Sequence, residues 1–172
     1  VIMVSKKEYI LFDKDTQSFI YNMQTNAVQR MLDFDYVAGR KTSSVAAIVN
    51  PTGNDSFQKF FFGPKEILVP VYKSLKNAAN RHKNVDVMIN FASFRSAATS
   101  TEEAFTIPQI RTVVIIAEGV PERRMRELIA KAKQLKKVII GPATVGGIVP
   151  GAFKIGNTGG TIENIMDSKL HR

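Results

Sequence analysis

The sequence predicts an α/β fold built on a mostly parallel sheet with helices on both faces, and three observations predict it. Short runs rich in β-branched residues recur along the chain. Two of them, Val113-Val114-Ile115-Ile116 and Val138-Ile139-Ile140, are apolar at consecutive rather than alternate positions. The stretches between the runs carry helical periods. Continuous apolarity means that both faces of a strand are covered, as in a parallel sheet between helix layers. Strands alternating with helices imply βαβ units with right-handed crossovers.

The elements follow in order. Residues 1–25 read as an N-terminal arm with short strands. Residues 26–37 read as a helix through Val28, Met31 and Leu32. Residues 44–49 form the first strand of the main pattern and end at Asn50-Pro51-Thr52-Gly53. Residues 67–71 form a second, which Pro70 demotes to an edge or a strand end. Strands at 85–91, 112–117 and 138–141 follow. Weakly amphipathic helices are expected over 71–81 and 96–105.

The clearest helix spans 121–136, where Met125, Leu128, Ile129, Ala132 and Leu135 share one stripe. Pro121 suits its first turn, and Lys136-Lys137 suit its negative end. These elements make residues 26–172 one domain of Rossmann-like class.

Two stretches break the alternation. Residues 51–65 read as a long polar loop carrying Phe57, Phe60, Phe61 and Phe62 beside Lys59 and Lys65. Residues 141–160 hold seven of the chain's 11 glycines. Long loops in a compact domain are usually functional or disordered, and Ile148, Val149, Phe153 and Ile155 argue against disorder. The last residues, 168–172, follow a short helix expected from Thr161 and carry no Pro or Gly cap. The chain therefore reads as part of a longer polypeptide.

Composition narrows the function classes. The chain has 172 residues, 44% of them hydrophobic and 23% charged, which is globular rather than disordered. No apolar run approaches the roughly 20 residues needed to cross a bilayer, and the first residues lack the pattern of a secretory signal. With no Cys, thiol catalysis, disulfides and iron–sulfur sites are excluded; with two His, an all-protein zinc site is not expected. A cytoplasmic domain is the expectation. The net charge of +9 suits a polyanionic partner, whether nucleic acid, anionic lipid or a phosphorylated cofactor.

In open α/β sheets ligands lie beyond the carboxyl ends of the strands. Four turns follow strands directly: Asn50-Pro51-Thr52-Gly53, Asn90-Phe91-Ala92-Ser93-Phe94-Arg95, Ala117-Glu118-Gly119 and Gly141-Pro142-Ala143-Thr144. They are expected to converge on one edge. Arg95 with Ser93 suits a phosphate clamp, because a guanidinium fork matches phosphate oxygens; the plain alternative is an exposed Arg on the next helix. Lys59 between Phe57 and Phe60 suits an adenine-stacking loop, or else is a solvated Lys on a packed loop.

Glu118 at a strand tip is placed to orient a reacting group, or merely to offset a helix dipole. Gly156-Asn157-Thr158-Gly159-Gly160 resembles an anion-binding nest of backbone N–H groups, or a glycine turn without a ligand. No G-x-G-x-x-G follows the first strand of the main pattern and no G-x-x-x-x-G-K-[ST] occurs, so ordinary dinucleotide and P-loop binding lose ground. His82 and His171 lack partners at useful spacing. The basic residues from Arg123 to Lys137 read first as a solvated helix face.

Three segments together carry a resemblance: 117–122, the run Ile140-Gly141-Pro142-Ala143-Thr144-Val145-Gly146-Gly147, and 150–160. They resemble the CoA-binding domain of ATP-citrate lyase, within the superfamily of succinyl-CoA synthetase α subunits. Residues 27–36 and 89–95 fit the citrate enzyme rather than the succinate enzyme. The resemblance implies that Phe91, Ser93 and Arg95 hold the CoA adenosine and phosphates. It implies that Asn50, Pro51, Thr52 and Gly53 replace the usual glycine fingerprint and lie against the nucleotide with Ala117 and Lys59. Where animal relatives carry an aromatic residue at the place of Thr52, Phe57 or Phe60 is the expected substitute.

Glu118 matches a carboxylate facing a phosphorylated catalytic histidine, which is supplied from outside these residues. Thr144, Asn157, Thr158, Gly159 and Gly160 match the acyl-phosphate loop. The complete enzyme so implied passes phosphate from ATP through histidine to citrate. CoA then attacks citryl phosphate, and citryl-CoA is cleaved to acetyl-CoA and oxaloacetate.

ATP and Mg2+ belong to other domains in this reading, and no metal to this one. The implied partners are CoA, citrate-derived intermediates, and the ATP-grasp and citrate-synthase-like modules of the same enzyme in a homo- or hetero-oligomer, with no nucleic acid and no membrane. The isolated piece is expected to be inactive. The rival readings are a citryl-CoA synthetase subunit, a stand-alone CoA- or nucleotide-sensing module, and a nucleic-acid-binding domain using the Arg123 to Lys137 face.

Overall fold

The structure is a computed structural model, and it describes residues 10–158. In chain order the elements are β1 (Ser18–Tyr21), α1 (Thr25–Val37), β2 (Val45–Val49), β3 (Ser56–Phe62), β4 (Lys65–Tyr72), α2 (Leu75–Arg81) and β5 (Val87–Asn90). They continue with α3 (Ala97–Phe105), β6 (Thr112–Ile115), α4 (Glu122–Leu135), β7 (Val138–Ile140), β8 (Gly147–Val149) and β9 (Phe153–Ile155). Seven strands form one sheet in the order β3-β4-β2-β1-β5-β6-β7. All its pairings are parallel except β3 with β4.

Alternation along the strands divides the core into two layers. Phe19, Val113 and Ile115 face a layer containing Leu75, Ala78, Ala97, Ala104, Met125, Leu128 and Ala132, so α2, α3 and α4 cover one face. Ile20, Ile48, Ile89 and Val114 face Val28, Met31 and Leu32 of α1 together with Phe153 and Ile155 of β9. The expected α/β architecture is present, with one helix and a β-hairpin on the second face where a third layer of helices would be the simpler guess. Val113, Val114 and Ile115 are all 0% exposed, which is why that run is apolar at every position.

Two departures from the sequence reading matter. The described part of the 1–25 segment supplies β1, which lies between β2 and β5 at the centre of the sheet. Phe19 and Ile20 are 0% exposed and belong to the two core layers of the domain itself. The 51–65 segment is not a loop: residues Ser56–Phe62 pair antiparallel with β4 as an edge hairpin, in which Phe57 stands opposite Pro70 and Lys59 opposite Leu68. β4 meets β2 only through Val71 and Tyr72, just after Pro70, so one-sided pairing ends where the proline stands.

Candidate functional site

Six parallel strands put six carboxyl ends on one edge, in the order β4, β2, β1, β5, β6, β7. Backbone hydrogen bonds continue the ladder past the last strand residues and tie the following turns into a row. Asn50 N donates to Tyr72 O at 2.8 Å, Asn22 N to Val49 O at 2.7 Å, and Phe91 N to Tyr21 O at 3.0 Å. Ile116 N donates to Asn90 O at 3.1 Å and Ala143 N to Ala117 O at 2.9 Å. The Asn50 and Ala117 turns are therefore three strand spacings apart, about 14 Å. Arg95, Thr52, Glu118 and Thr144 all belong to turns on this edge.

The helix connections leave β1 and β5 on opposite faces: α1 crosses from β1 on one side, while α2, α3 and α4 lie on the other. That reversal opens a crevice at the tips of β1 and β5, the place where such sheets take their ligands. One wall is the β1–α1 turn, where Asn22 has φ 82 and its Nδ2 donates to Phe91 O at 3.4 Å. The N-terminus of α1 faces this crevice with no side-chain cap and no acidic residue in its first turn. Its unpaired N–H groups and dipole favour an anion. The Tyr21 phenol lies on the other face, against the layer of α2, α3 and α4, where burial and then the Glu103 carboxylate push it up.

The other wall is the 91–96 turn, which hangs on Asn90. That side chain is 0% exposed. Its Nδ2 donates to Ala97 O at 3.2 Å, Ser100 Oγ at 2.8 Å and Thr101 Oγ1 at 3.1 Å, and its Oδ1 accepts from Ala92 N at 2.9 Å. Above this anchor Ser93 and Arg95 are exposed, with the Arg95 guanidinium 5.4 Å from the Phe94 ring centre. Among the described residues Arg95 has no carboxylate partner. A guanidinium above a rigid turn can take phosphate oxygens bidentately.

The remaining predicted residues divide. Asn50, Pro51, Thr52 and Gly53 form a tight turn next to the crevice, with Gly53 N donating to Asn50 O at 3.1 Å and Thr52 Oγ1 to Asn50 Oδ1 at 3.1 Å. Ala117 is half-buried, and Glu118 is exposed on the β6 turn. Thr144 Oγ1 accepts from Gly146 N at 3.1 Å, and Thr158 Oγ1 donates to Ile155 O at 2.6 Å and Val145 O at 3.2 Å. A Cβ at Gly141 (φ 101) would fall on the Ile115 carbonyl, so only glycine lets this segment leave β7 so close to β6. Asn157 is exposed next to Gly156, where an added Cβ would lie 3.2 Å from the Phe91 ring. Gly159, Gly160 and the helix expected from Thr161 lie outside the described residues.

Lys59 does not join this group. It sits on β3 opposite Leu68, about 13 Å below the level of Tyr72 along β4, and its ammonium pairs with Glu66 at 3.5 Å. Phe60 is 3% exposed and packs in the core, so it cannot stack on a ligand; Phe57, 70% exposed and opposite Pro70 near the tip of β4, keeps a free ring.

The residues missed by the sequence reading are Tyr21, Asn22 and the start of α1. The first βα turn of this sheet is theirs, not the one at Asn50. The signal was Phe19-Ile20-Tyr21 followed by Asn22 and a helix, with Asn in the left-handed conformation that glycine usually takes. A cavity of about 680 Å3 lies elsewhere, between α2 and the end of α3, lined by Lys76, Asn80, Lys83, Glu103 and Gln109. Backbone donors, a helix N-terminus and Arg95 converge at the strand tips, whereas the cleft is walled mainly by surface side chains.

The family model for the CoA binding domain matches residues 13–119, from before β1 through the β6 turn. The chain belongs to the CoA-binding domain family. The match thus takes in the turns after β1, β2, β5 and β6 and stops before the glycine-rich segment. This CoA-binding domain is 59% identical over 169 residues to the probable ATP-citrate synthase subunit 1 of Schizosaccharomyces pombe, covering 98% of this chain and 28% of that one. It is 57% identical over 166 residues to ATP-citrate synthase of Homo sapiens, covering 96% and 15%.

A solved structure of a Methanosaeta concilii ATP citrate lyase mutant in complex with (3S)-citryl-CoA aligns with a TM-score of 0.91 and 55% identity, covering 96% of this chain and 27% of that one. The domain spans less than a third of the length of each of these relatives. Among the described residues no helix is long and apolar enough to cross a membrane.

Proposed function

We propose that this chain is the CoA-binding domain of an ATP-citrate lyase. The observation that carries the reading is the row of strand-tip turns with its crevice between β1 and β5, in a chain 55% identical to a lyase solved with citryl-CoA. The N-terminus of α1 and Asn22 hold the coenzyme's diphosphate, and Arg95 and Ser93 its remaining phosphate charge. The Asn50–Gly53 turn and Phe57 flank the adenosine. The thiol arm then runs along the tips toward β6 and β7, where Glu118 and Thr144 stand.

In that arrangement the domain's contribution is mainly positioning, which makes an encounter of thiol and acyl phosphate effectively intramolecular. Glu118 orients the phosphorylated histidine that another part of the enzyme supplies. Thr144, Asn157, Thr158 and the two glycines beyond them offer hydroxyl and backbone donors to the phosphoryl oxygens. As the thiolate bonds to the citryl carbonyl carbon, the C–O bond to phosphate breaks and inorganic phosphate leaves. Cleavage of citryl-CoA to acetyl-CoA and oxaloacetate, and the binding of ATP and Mg2+, fall to the ATP-grasp and citrate-synthase-like modules. The enzyme is cytoplasmic and oligomeric in this reading, and the domain alone does not turn over.

Calorimetric titration of CoA into the full-length enzyme tests it. Removing a charged hydrogen-bond donor costs about 1.5–3 kcal/mol, so Arg95→Ala should weaken CoA binding by roughly ten- to a hundredfold. CoA binding that is undetectable in the wild type, or unchanged in Arg95→Ala, would overturn the assignment.

A further inference from the structure

The glycine-rich segment with Thr144, Asn157 and Thr158 stands outside the main sheet, because β8 and β9 pair only with each other. Ala143 N donating to Ala117 O ties its start to the ladder, and the hairpin beyond needs a further hold. Phe153 and Ile155 give it an apolar footing. Its turn is also held by a buried polar side chain, Arg40, which is 0% exposed.

The Arg40 guanidinium joins two distant parts of the chain to its own loop. Nη1 donates to Ala152 O at 2.7 Å, in the turn between β8 and β9, and to Asp13 O at 3.2 Å. Nη2 donates to Thr16 O at 2.6 Å, just ahead of β1, and Nε to Thr42 O at 3.2 Å, just ahead of β2. The same guanidinium lies 5.9 Å from the Phe153 ring centre, and Phe153 stacks on Phe12 with centres 5.0 Å apart and planes 11° from parallel.

We propose that Arg40 is a positioning residue: it clamps the β8–β9 turn to the segments entering β1 and β2, and so fixes where Thr144 and Thr158 stand opposite the strand tips. The proposal rests on reading the chain as the CoA-binding domain of a lyase. Only a planar fork with divergent donors serves this purpose; an ammonium is a point charge. The ion pair with Asp35 does not explain the burial. Its N–O separation is 3.7 Å, and Asp35 Oδ1 has no hydrogen-bond partner. A buried pair so poorly closed adds little net stability over well-packed apolar side chains. The three-way reach is what an apolar residue would lack.

The consequence is a division of labour. The turns after β1, β2 and β5 are held by the sheet and by Asn90, whereas the acyl-phosphate segment depends on Arg40. In the full-length enzyme, Arg40→Lys keeps the charge beside Asp35 but cannot face all three attachments. Steady-state kinetics and CoA titration should show kcat reduced tenfold or more with the CoA Kd changed less than threefold, the reverse of Arg95→Ala. Phe12→Leu removes the ring stacked on Phe153 without touching Arg40. It should lower kcat in the same sense by a smaller factor, and it carries the test if Arg40→Lys does not fold.

A folded Arg40→Lys enzyme with unchanged kcat overturns the proposal, as does equal loss of CoA affinity and kcat. So does an unfolded Arg40→Lys together with an inert Phe12→Leu. A wild-type enzyme that binds no CoA would instead refute the functional reading, so the two failures are distinct.

Discussion

The turns after β1, β2, β5 and β6 and the segment after β7 meet at the same edge of the sheet, yet they are held there by different means. Each of the first set continues a hydrogen-bonded ladder from a strand with both faces covered, and Asn90 pins one of them from beneath with four hydrogen bonds. The segment after β7 leaves a strand whose three residues are only half-buried, keeps one ladder bond from Ala143 N to Ala117 O, makes its own small hairpin, and rests on one face through Phe153, Ile155 and Arg40. The difference suggests a scaffold that binds the coenzyme rigidly and a separately attached piece that serves the transferring group.

Substitutions at the two regions should therefore separate affinity from turnover. The largest effect is expected at Glu118. Glu118→Gln in the full-length enzyme should lower kcat by about a hundredfold or more, the scale of a lost acid–base or orienting carboxylate, with CoA affinity within twofold of wild type; phosphoenzyme formation and turnover are the readouts. Asn90→Ala comes next. It strips Ala92 N of its acceptor and removes the amide that ties the 91–96 turn to α3, which should cost about 2–4 kcal/mol of stability and weaken CoA binding as well, by denaturant titration and calorimetry.

A pH effect of similar size belongs to Asp35. Burial, only partly offset by the Ser44 hydrogen bonds and by Arg40, pushes its carboxyl from 3.8 up to about 6. The folded state thus binds this proton more tightly than the unfolded chain. The stabilisation is full below about pH 4 and is lost as pH rises through 6, amounting to about 3 kcal/mol. Asp35→Asn should flatten that part of the stability profile between pH 4 and 7, measured by urea unfolding. The smallest effect is expected at Lys59, whose exposed pair with Glu66 is worth less than about 1 kcal/mol. Lys59→Ala should leave CoA affinity within twofold, and a tenfold loss would bring Lys59 into the site.

Much of this was legible in the sequence, for identifiable reasons. The run at 112–117 declared a parallel sheet because burial of Thr112–Ile115 on both faces forces apolarity at consecutive positions, whereas the run at 138–141 proved to be a half-buried edge strand. The helix α4 announced itself through one stripe and its terminal charges. β1 escaped because four residues, Ser18–Tyr21, carry too short a pattern to stand out from an arm. Its central position comes from pairing with β2 and β5, which no local pattern encodes. With β1 missing, the first turn of the sheet was assigned to Asn50, and Asn22 went unnoticed because its left-handed backbone is not written as glycine.

β3 reads as a loop from sequence because Phe57 and Phe61 face solvent while Phe60 and Phe62 pack inward, so apolar residues on both faces blur the alternation. The expectation that Lys59 lies against the nucleotide follows from reading 51–65 as a loop, whereas the structure pairs it with Glu66 on the edge hairpin. Arg40 carried no motif at all: its partners are backbone carbonyls at Asp13, Thr16, Thr42 and Ala152, and nothing in those residue types marks them as acceptors.

The claim on which the rest depends is that the turns after β1, β2 and β5 form one coenzyme site. Hydrogen–deuterium exchange of the full-length enzyme with and without CoA tests it most directly. The account requires amides at 22–28, 50–53 and 91–97 to gain protection together, while the far end of the edge hairpin at 59–68 stays unchanged. Protection confined to the cleft between α2 and α3, at 76–83 and 103–109, with the tips unaffected, would contradict it.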